Sequence, residues 1–124
     1  MLLIDSCCRC TSADRVIIEY VRYRIEDAAR RSAFEADYAK AATVLDESPN
    51  CLAYELARCH EEPERYVLRI HWDSLEGHLQ GFRKSPGFRD FLASIRGYID
   101  DIEEMQHYVA TDVRSQGDSD PCTS

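Results

Sequence analysis

The run VIIEYVRYRI at residues 16–25 limits the architecture more than any other segment of the chain. Its β-branched and aromatic residues favour a strand. Taken with a period of two, one face carries Ile17, Glu19, Val21, Tyr23 and Ile25, and the other Val16, Ile18, Tyr20, Arg22 and Arg24. Both faces begin apolar, so the strand needs cover on both sides. The remaining segments must supply that cover.

A chain of 124 residues has room for one compact domain. Residues 1–13 read as a flexible N-terminal tail, 14–110 as the folded domain and 111–124 as a disordered C-terminal tail, because DVRSQGDSDPCTS has almost nothing to bury. A folded segment of roughly 97 residues buries about two thirds of its unfolded surface, enough for one core. Fifteen Lys and Arg against 23 Asp and Glu leave a formal charge of −8, and no basic stripe interleaves with aromatics. Nucleic acid and anionic membranes are therefore excluded as partners. The longest apolar run, Met1-Leu-Leu-Ile, is far short of the roughly 20 residues of a membrane span. The chain reads as cytoplasmic.

The order of elements follows from local patterns. Glu26 or Asp27 can cap a helix running to about Leu45, whose apolar stripe is Phe34, Tyr38, Ala41 and Leu45. Ser48-Pro49-Asn50 ends it. Residues 51–60 and 65–72 read as a β-hairpin. A second helical region opens at Ser74 as N-cap, with Leu75, His78, Leu79 and Phe82 on one side. Ser85-Pro86 restarts it in cap-then-N1 order, and Phe88, Phe91, Leu92, Ile95 and Ile99 continue the stripe. Residues 102–109 form a last strand. The order βαββαβ is the ferredoxin-like α+β pattern, a four-stranded antiparallel sheet with both helices on one face.

Keeping apolar side chains together across the hairpin sets Leu56 beside Ile70 and Tyr54 beside Trp72, with Leu52 on the same helix-facing side. Glu55 then opposes His71, with Arg69 one step away, as a rim ion-pair cluster. Two helices cover only one face, so the second cover for the first strand is expected from another copy of the chain. A homodimer packed through the sheet face is the expected assembly.

Six cysteines do not make a disulfide framework: Cys7, Cys8 and Cys10 crowd one end, Cys51 and Cys59 flank a strand and Cys122 lies in the tail. The C-x-x-C spacing lacks a second half, and His60 with Glu61 and Glu62 lacks the geometry to close a site, so no metal is expected.

The segments SPNCLAYEL at 48–56, RYVLRIHWDS at 65–74, GHLQGFRKSPGF at 77–88 and EEMQHY at 103–108 resemble the antibiotic biosynthesis monooxygenase family of dimeric α+β barrels, over about residues 15–110. The resemblance implies a monooxygenase acting with O₂ on a small aromatic or quinol-type molecule, with no bound cofactor. Such chemistry needs a dry aromatic cavity, a base and donors for a developing oxyanion. Haem-degrading relatives use an Asn on the first strand with a Trp and a His on the second helix; the first strand here contains no Asn and the second helix no Trp. Two other readings stay open: a non-catalytic ligand-binding or stress-associated dimer of the same fold, and a redox-responsive protein using the N-terminal thiols.

His78, between Leu75 and Phe82 on the apolar side of the second helical region, is the first choice for the catalytic base, against the bland reading of a satisfied core histidine. Trp72 and Tyr54 are candidates to stack on a flat substrate or donate to it, and Tyr38, Phe34, Phe82 and Phe91 to wall the pocket; plain core packing accounts for all six equally well. Glu19 is a lone carboxylate on an apolar face, its pKa raised if the dimer buries it. His107 and the acidic stretch 100–104 read as a sheet edge and a solvated turn.

Overall fold

The computed structural model describes residues 15–115. Within them lie β1 (Ile17–Arg24), α1 (Ala28–Asp46), β2 (Cys51–Arg58), β3 (Arg65–Trp72), a π-helical turn (Gly77–Phe82), α2 (Phe88–Ile95), a 3₁₀ turn (Arg96–Asp101) and β4 (Ile102–Val109). The strands form one antiparallel sheet in the order β2-β3-β1-β4. This is the ferredoxin-like α+β arrangement, with the run apolar on both faces as an interior strand. The N-terminal tail, and with it Cys7, Cys8 and Cys10, lies outside the described residues, as do 116–124 with Cys122. Residues 110–112 are tied to the start of β1, through Ala110 N–H to the Val16 carbonyl at 3.0 Å and Arg15 to Asp112 at 2.9 Å.

The Asp27 carboxylate accepts the Ala29 N–H at 2.9 Å and opens α1. The stripe Phe34, Tyr38, Ala41 and Leu45 is buried as its spacing predicts. Phe34 is the hub of the core: its ring meets those of Tyr23, Tyr38, Tyr66 and Tyr98 edge-on, at centroid distances from 4.8 to 5.2 Å. Edge-on packing sets the positive ring rim against the negative ring face. Tyr66 and Tyr98 keep their polar ends satisfied by donating to Glu35 and Asp37 on α1 at 2.5 and 2.6 Å.

Two expectations are corrected. The hairpin pairs Leu56 with Leu68, Tyr54 with Ile70 and Glu55 with Arg69, so it is displaced by two residues from the expected register. A shift of two keeps every side chain on its face, so the apolar pattern alone could not exclude it. His71 therefore faces Ala53, while Arg69 Nε donates to Glu55 at 2.9 Å. An irregularity between Cys51 and Ala53 also breaks the alternation. Cys51 packs against the core instead of Leu52, which is 45% exposed.

The second helical region is likewise not one helix. Ser74 does cap it, accepting the Gly77 N–H at 2.9 Å. Ser85 instead donates to the Phe82 carbonyl at 2.7 Å, closing the π turn rather than opening α2. Leu75, before the wide turn, is 42% exposed, and Ile99, in the 3₁₀ turn, is 45% exposed although it reaches the rim of the inner cavity.

Replacing Phe34 with Ala removes the ring shared by four aromatic contacts, and a stability loss of about 3–5 kcal/mol is expected. Urea unfolding followed by tyrosine fluorescence measures it; a loss below about 1 kcal/mol would show that the cluster closes over the gap.

Candidate functional site

Strand alternation turns Glu19 inward, beneath the helices, where it is 7% exposed. One strand away, Trp72 ends β3 with its side chain wholly buried, and its indole N–H donates to Glu19 Oε1 at 3.1 Å. A buried carboxylate with one fixed donor is thus set into the inner face of the sheet. The expected burial of Glu19 by a second copy is replaced by burial under the chain's own π turn.

That turn is held by a small polar bracket. Asn50 Nδ2 donates to Asp73 Oδ2 at 3.0 Å, and the Asp73 N–H donates to the Asn50 carbonyl at 2.9 Å. The Asn50 side chain lies so close to the turn that a Cβ at Gly77 would come within 2.9 Å of it and 2.1 Å of Asp73, and one at Gly81 within 2.3 Å. A larger residue at either position would have to displace the Asn50 or Asp73 side chain and so disturb the bracket.

So positioned, His78 stacks on Trp72 with ring centroids 4.6 Å apart and planes at 29°. Its Nε2 is 3.6 Å from Glu19 Oε1, too far for a hydrogen bond. Neither ring nitrogen has a hydrogen-bond partner among the described residues, although His78 is only 4% exposed. A buried polar group left unpaired costs about 1–3 kcal/mol, and such groups concentrate where a structure does chemistry. Burial lowers the His78 pKa to about 4, with smaller contributions from His107 and Arg83. The imidazole is therefore neutral at pH 7 and carries a free lone pair. Burial raises the Glu19 pKa above its ordinary value, and the Trp72 hydrogen bond, His107 and Arg83 only partly oppose it.

Glu19 and His78 open on a cavity of about 210 Å³ between the sheet and the second helical region. Val21, Leu68, Ile70, Phe82, Phe91 and Met105 supply much of its apolar wall. Tyr23 and Tyr38 also reach it, their hydroxyls in mutual contact. Burial pushes the Tyr23 phenol up to about 12 and raises Tyr38 as well. Both stay protonated, so one O–H can join the two oxygens while the other remains available as a donor. A wider groove of about 470 Å³ between α1 and β2 holds Tyr54, Glu35 and Arg58, but it contains neither buried titratable group.

Of the residues proposed from sequence, His78, Tyr38, Phe82 and Phe91 line the cavity. Trp72 stands behind it, holding Glu19 and backing His78. Phe34 is the core hub, wholly buried. Tyr54 faces the outer groove and donates to Asp46 at 2.7 Å. Two polar neighbours escaped the sequence reading. Arg83 follows the π turn and reaches the cavity rim. His107 lies directly opposite Glu19 in the β1–β4 register, its ring 5.1 Å from that of His78. The β4 alignment alone would have brought His107 and Glu19 together.

A family model for antibiotic biosynthesis monooxygenases matches residues 16–94. The chain belongs to this family. A curated relative, the uncharacterized protein YczJ of Bacillus subtilis strain 168, is 27% identical over 75 residues, covering 60% of this chain and 79% of that protein. A crystal structure from Bordetella bronchiseptica, provisionally named for the same family, superposes with a TM-score of 0.67 at 23% identity, covering 78% of this chain and 98% of the other. SnoaB of Streptomyces nogalater, a cofactor-independent oxygenase, superposes with a TM-score of 0.63 at 17% identity over 84% of this chain and 99% of its own. At these identities the structural likeness establishes a shared fold.

Two outcomes check the geometry. Nitrogen-15 NMR of the imidazoles should show His78 neutral through pH 6.5 and gaining its proton only near pH 4; a midpoint at the ordinary histidine value would contradict its burial. Gly77→Ala, which drives a methyl group into Asp73 and Asn50, should cost about 1–3 kcal/mol in chemical denaturation. An unchanged midpoint would mean that the bracket yields freely.

Proposed function

We propose that this protein is a monooxygenase that oxidises a small enolisable aromatic, such as a phenol or hydroquinone, with O₂ and without a bound cofactor. The observation that carries the reading is the unpaired, neutral His78 beside a buried carboxylate on the wall of an aromatic cavity. Ligand pockets for drug-sized molecules span about 300–1,000 Å³. A cavity of about 210 Å³ therefore favours one or two rings over a tricyclic substrate.

His78 takes the proton from the substrate's hydroxyl, and the electron pair stays on the substrate as an enolate-type phenolate delocalised onto the ring carbon that reacts. The nearby Glu19 carboxylate stabilises the imidazolium, and a tyrosine O–H donates to the enolate oxygen. The enolate passes one electron to O₂, and recombination of the resulting radicals forms the C–O bond of a peroxide. Cleavage of the O–O bond with loss of the one hydrogen on that carbon leaves a carbonyl and releases water. Two hydrogens leave the substrate with one oxygen atom while the other oxygen stays, so the step balances without a further reductant.

We also propose that a second copy covers the outer face of the sheet. Leu52, Tyr108 and Val109 are 45%, 47% and 51% exposed, too apolar to face water unaided. No described helix is long and apolar enough to cross a membrane. Cys51 and Cys59 are free thiols, which suits the reducing cytoplasm.

Oxygen-electrode assays with one- and two-ring hydroquinones should show uptake that His78→Ala lowers by about 10²–10⁴-fold in kcat. No uptake on any such substrate would leave a ligand-binding protein instead. Glu19→Gln should shift the acid limb of the pH–rate profile, because the raised carboxylate pKa places ionisation of Glu19 above the ordinary carboxylate range. Tyr108→Asp should halve the mass measured by light scattering; a wild-type monomer would refute the assembly.

A further inference from the structure

Glu19, His78 and His107 each offer a ligand atom, and these atoms all lie within 4.8 Å of one another. We infer that the three form a binding site for one divalent transition-metal ion, held by an imidazole nitrogen from each histidine and a carboxylate oxygen of Glu19.

Two observations besides the clustering point to a ligand. Both ring nitrogens of His78 are buried and lack any hydrogen-bond partner among the described residues, so a strong donor atom is aimed at the other members of the cluster. The gap of 3.6 Å between His78 Nε2 and Glu19 Oε1 is too long for a hydrogen bond. It does match two ligands of one ion: bonds of about 2.0–2.1 Å in tetrahedral geometry set neighbouring ligand atoms about 3.3 Å apart. Bringing a pair 4.8 Å apart to that spacing needs a movement of about 1.5 Å, which His107 can make because it stands on the edge strand and is exposed. Its exposure also gives an ion a way in. The Trp72 N–H on Glu19 supplies the outer-shell hydrogen bond that orients a ligating carboxylate.

The donor set selects the class of ion. Two imidazoles and one carboxylate suit zinc, cobalt or ferrous iron, whereas magnesium and calcium take oxygen ligands. The nearby Arg83 weakens the field that a hard cation would rely on, and nitrogen donors must provide the difference. Three protein ligands leave a coordination position open. On the functional reading above, a bound ion takes the His78 lone pair that proton transfer needs, so the metal-loaded form is the silent one.

Titration of the full chain with Co²⁺, in the absence of substrate, tests the site. One equivalent should give a visible d–d absorption that Zn²⁺ abolishes and Mg²⁺ does not. His107→Ala, at an exposed position, and Glu19→Gln should each weaken binding at least tenfold. An absent d–d band, or one unchanged in His107→Ala, overturns the site, as does a thiolate charge-transfer band placing the ion on the cysteines. Zinc that binds through these residues without slowing O₂ uptake would leave the metal site standing and remove His78 as base. Uptake that needs His78 in a chain that binds no cobalt would do the reverse.

Discussion

A carboxylate placed on the covered face of a sheet must be stabilised from within the fold, and Glu19 imposes that condition here. Removing an ion from water costs several kcal/mol even after relaxation, and a partner must offset part of it. The Trp72 indole is that partner. Its donor has to stay dry and fixed, and the wholly buried ring at the end of β3 meets the requirement. His78 then covers the indole, and the glycines of the π turn let the backbone come down far enough to place it. Acid, donor and imidazole form one stack, each held in place by the next.

The two ends of the helix-facing layer are built differently. Toward Phe34, aromatic rings interlock edge to face and their hydroxyls reach out to carboxylates on α1, leaving nothing to titrate near neutrality in the middle. Toward His78, the wall is aliphatic and aromatic, but the polar groups point inward and are only partly satisfied. A rigid cluster beside an unfilled pocket keeps the pocket from collapsing, because the core cannot spread into it without breaking ring contacts.

Much of the frame was readable from the chain. The stripe of Phe34, Tyr38, Ala41 and Leu45 and the run of β-branched and aromatic residues in β1 identify α1 and the first strand, because burial on one side of a helix or strand writes its period directly into the residues. What escaped was geometry that carries no period. A two-residue register shift leaves the apolar pattern untouched, and the irregularity near Leu52 has no turn-forming residue to announce it. A π turn reads as ordinary helix in the sequence, and nothing in residues 77–82 announces the extra residue that it holds. His78 stood out because a titratable residue interrupts an apolar side. His107 did not, since only strand pairing across most of the chain's length brings it opposite Glu19.

The π turn carries a consequence for the segment that follows it. Such a turn holds one residue more than the α-helical path through the same space, so losing a single residue there would restore regular winding. Everything beyond the deletion would rotate by about 100° around the helix axis. With a loss late in the turn, the segment after it would turn relative to the sheet, whereas His78, near its start, would keep its place beside Glu19. The winding of this one turn therefore sets which side chains of the segment that follows it face the sheet.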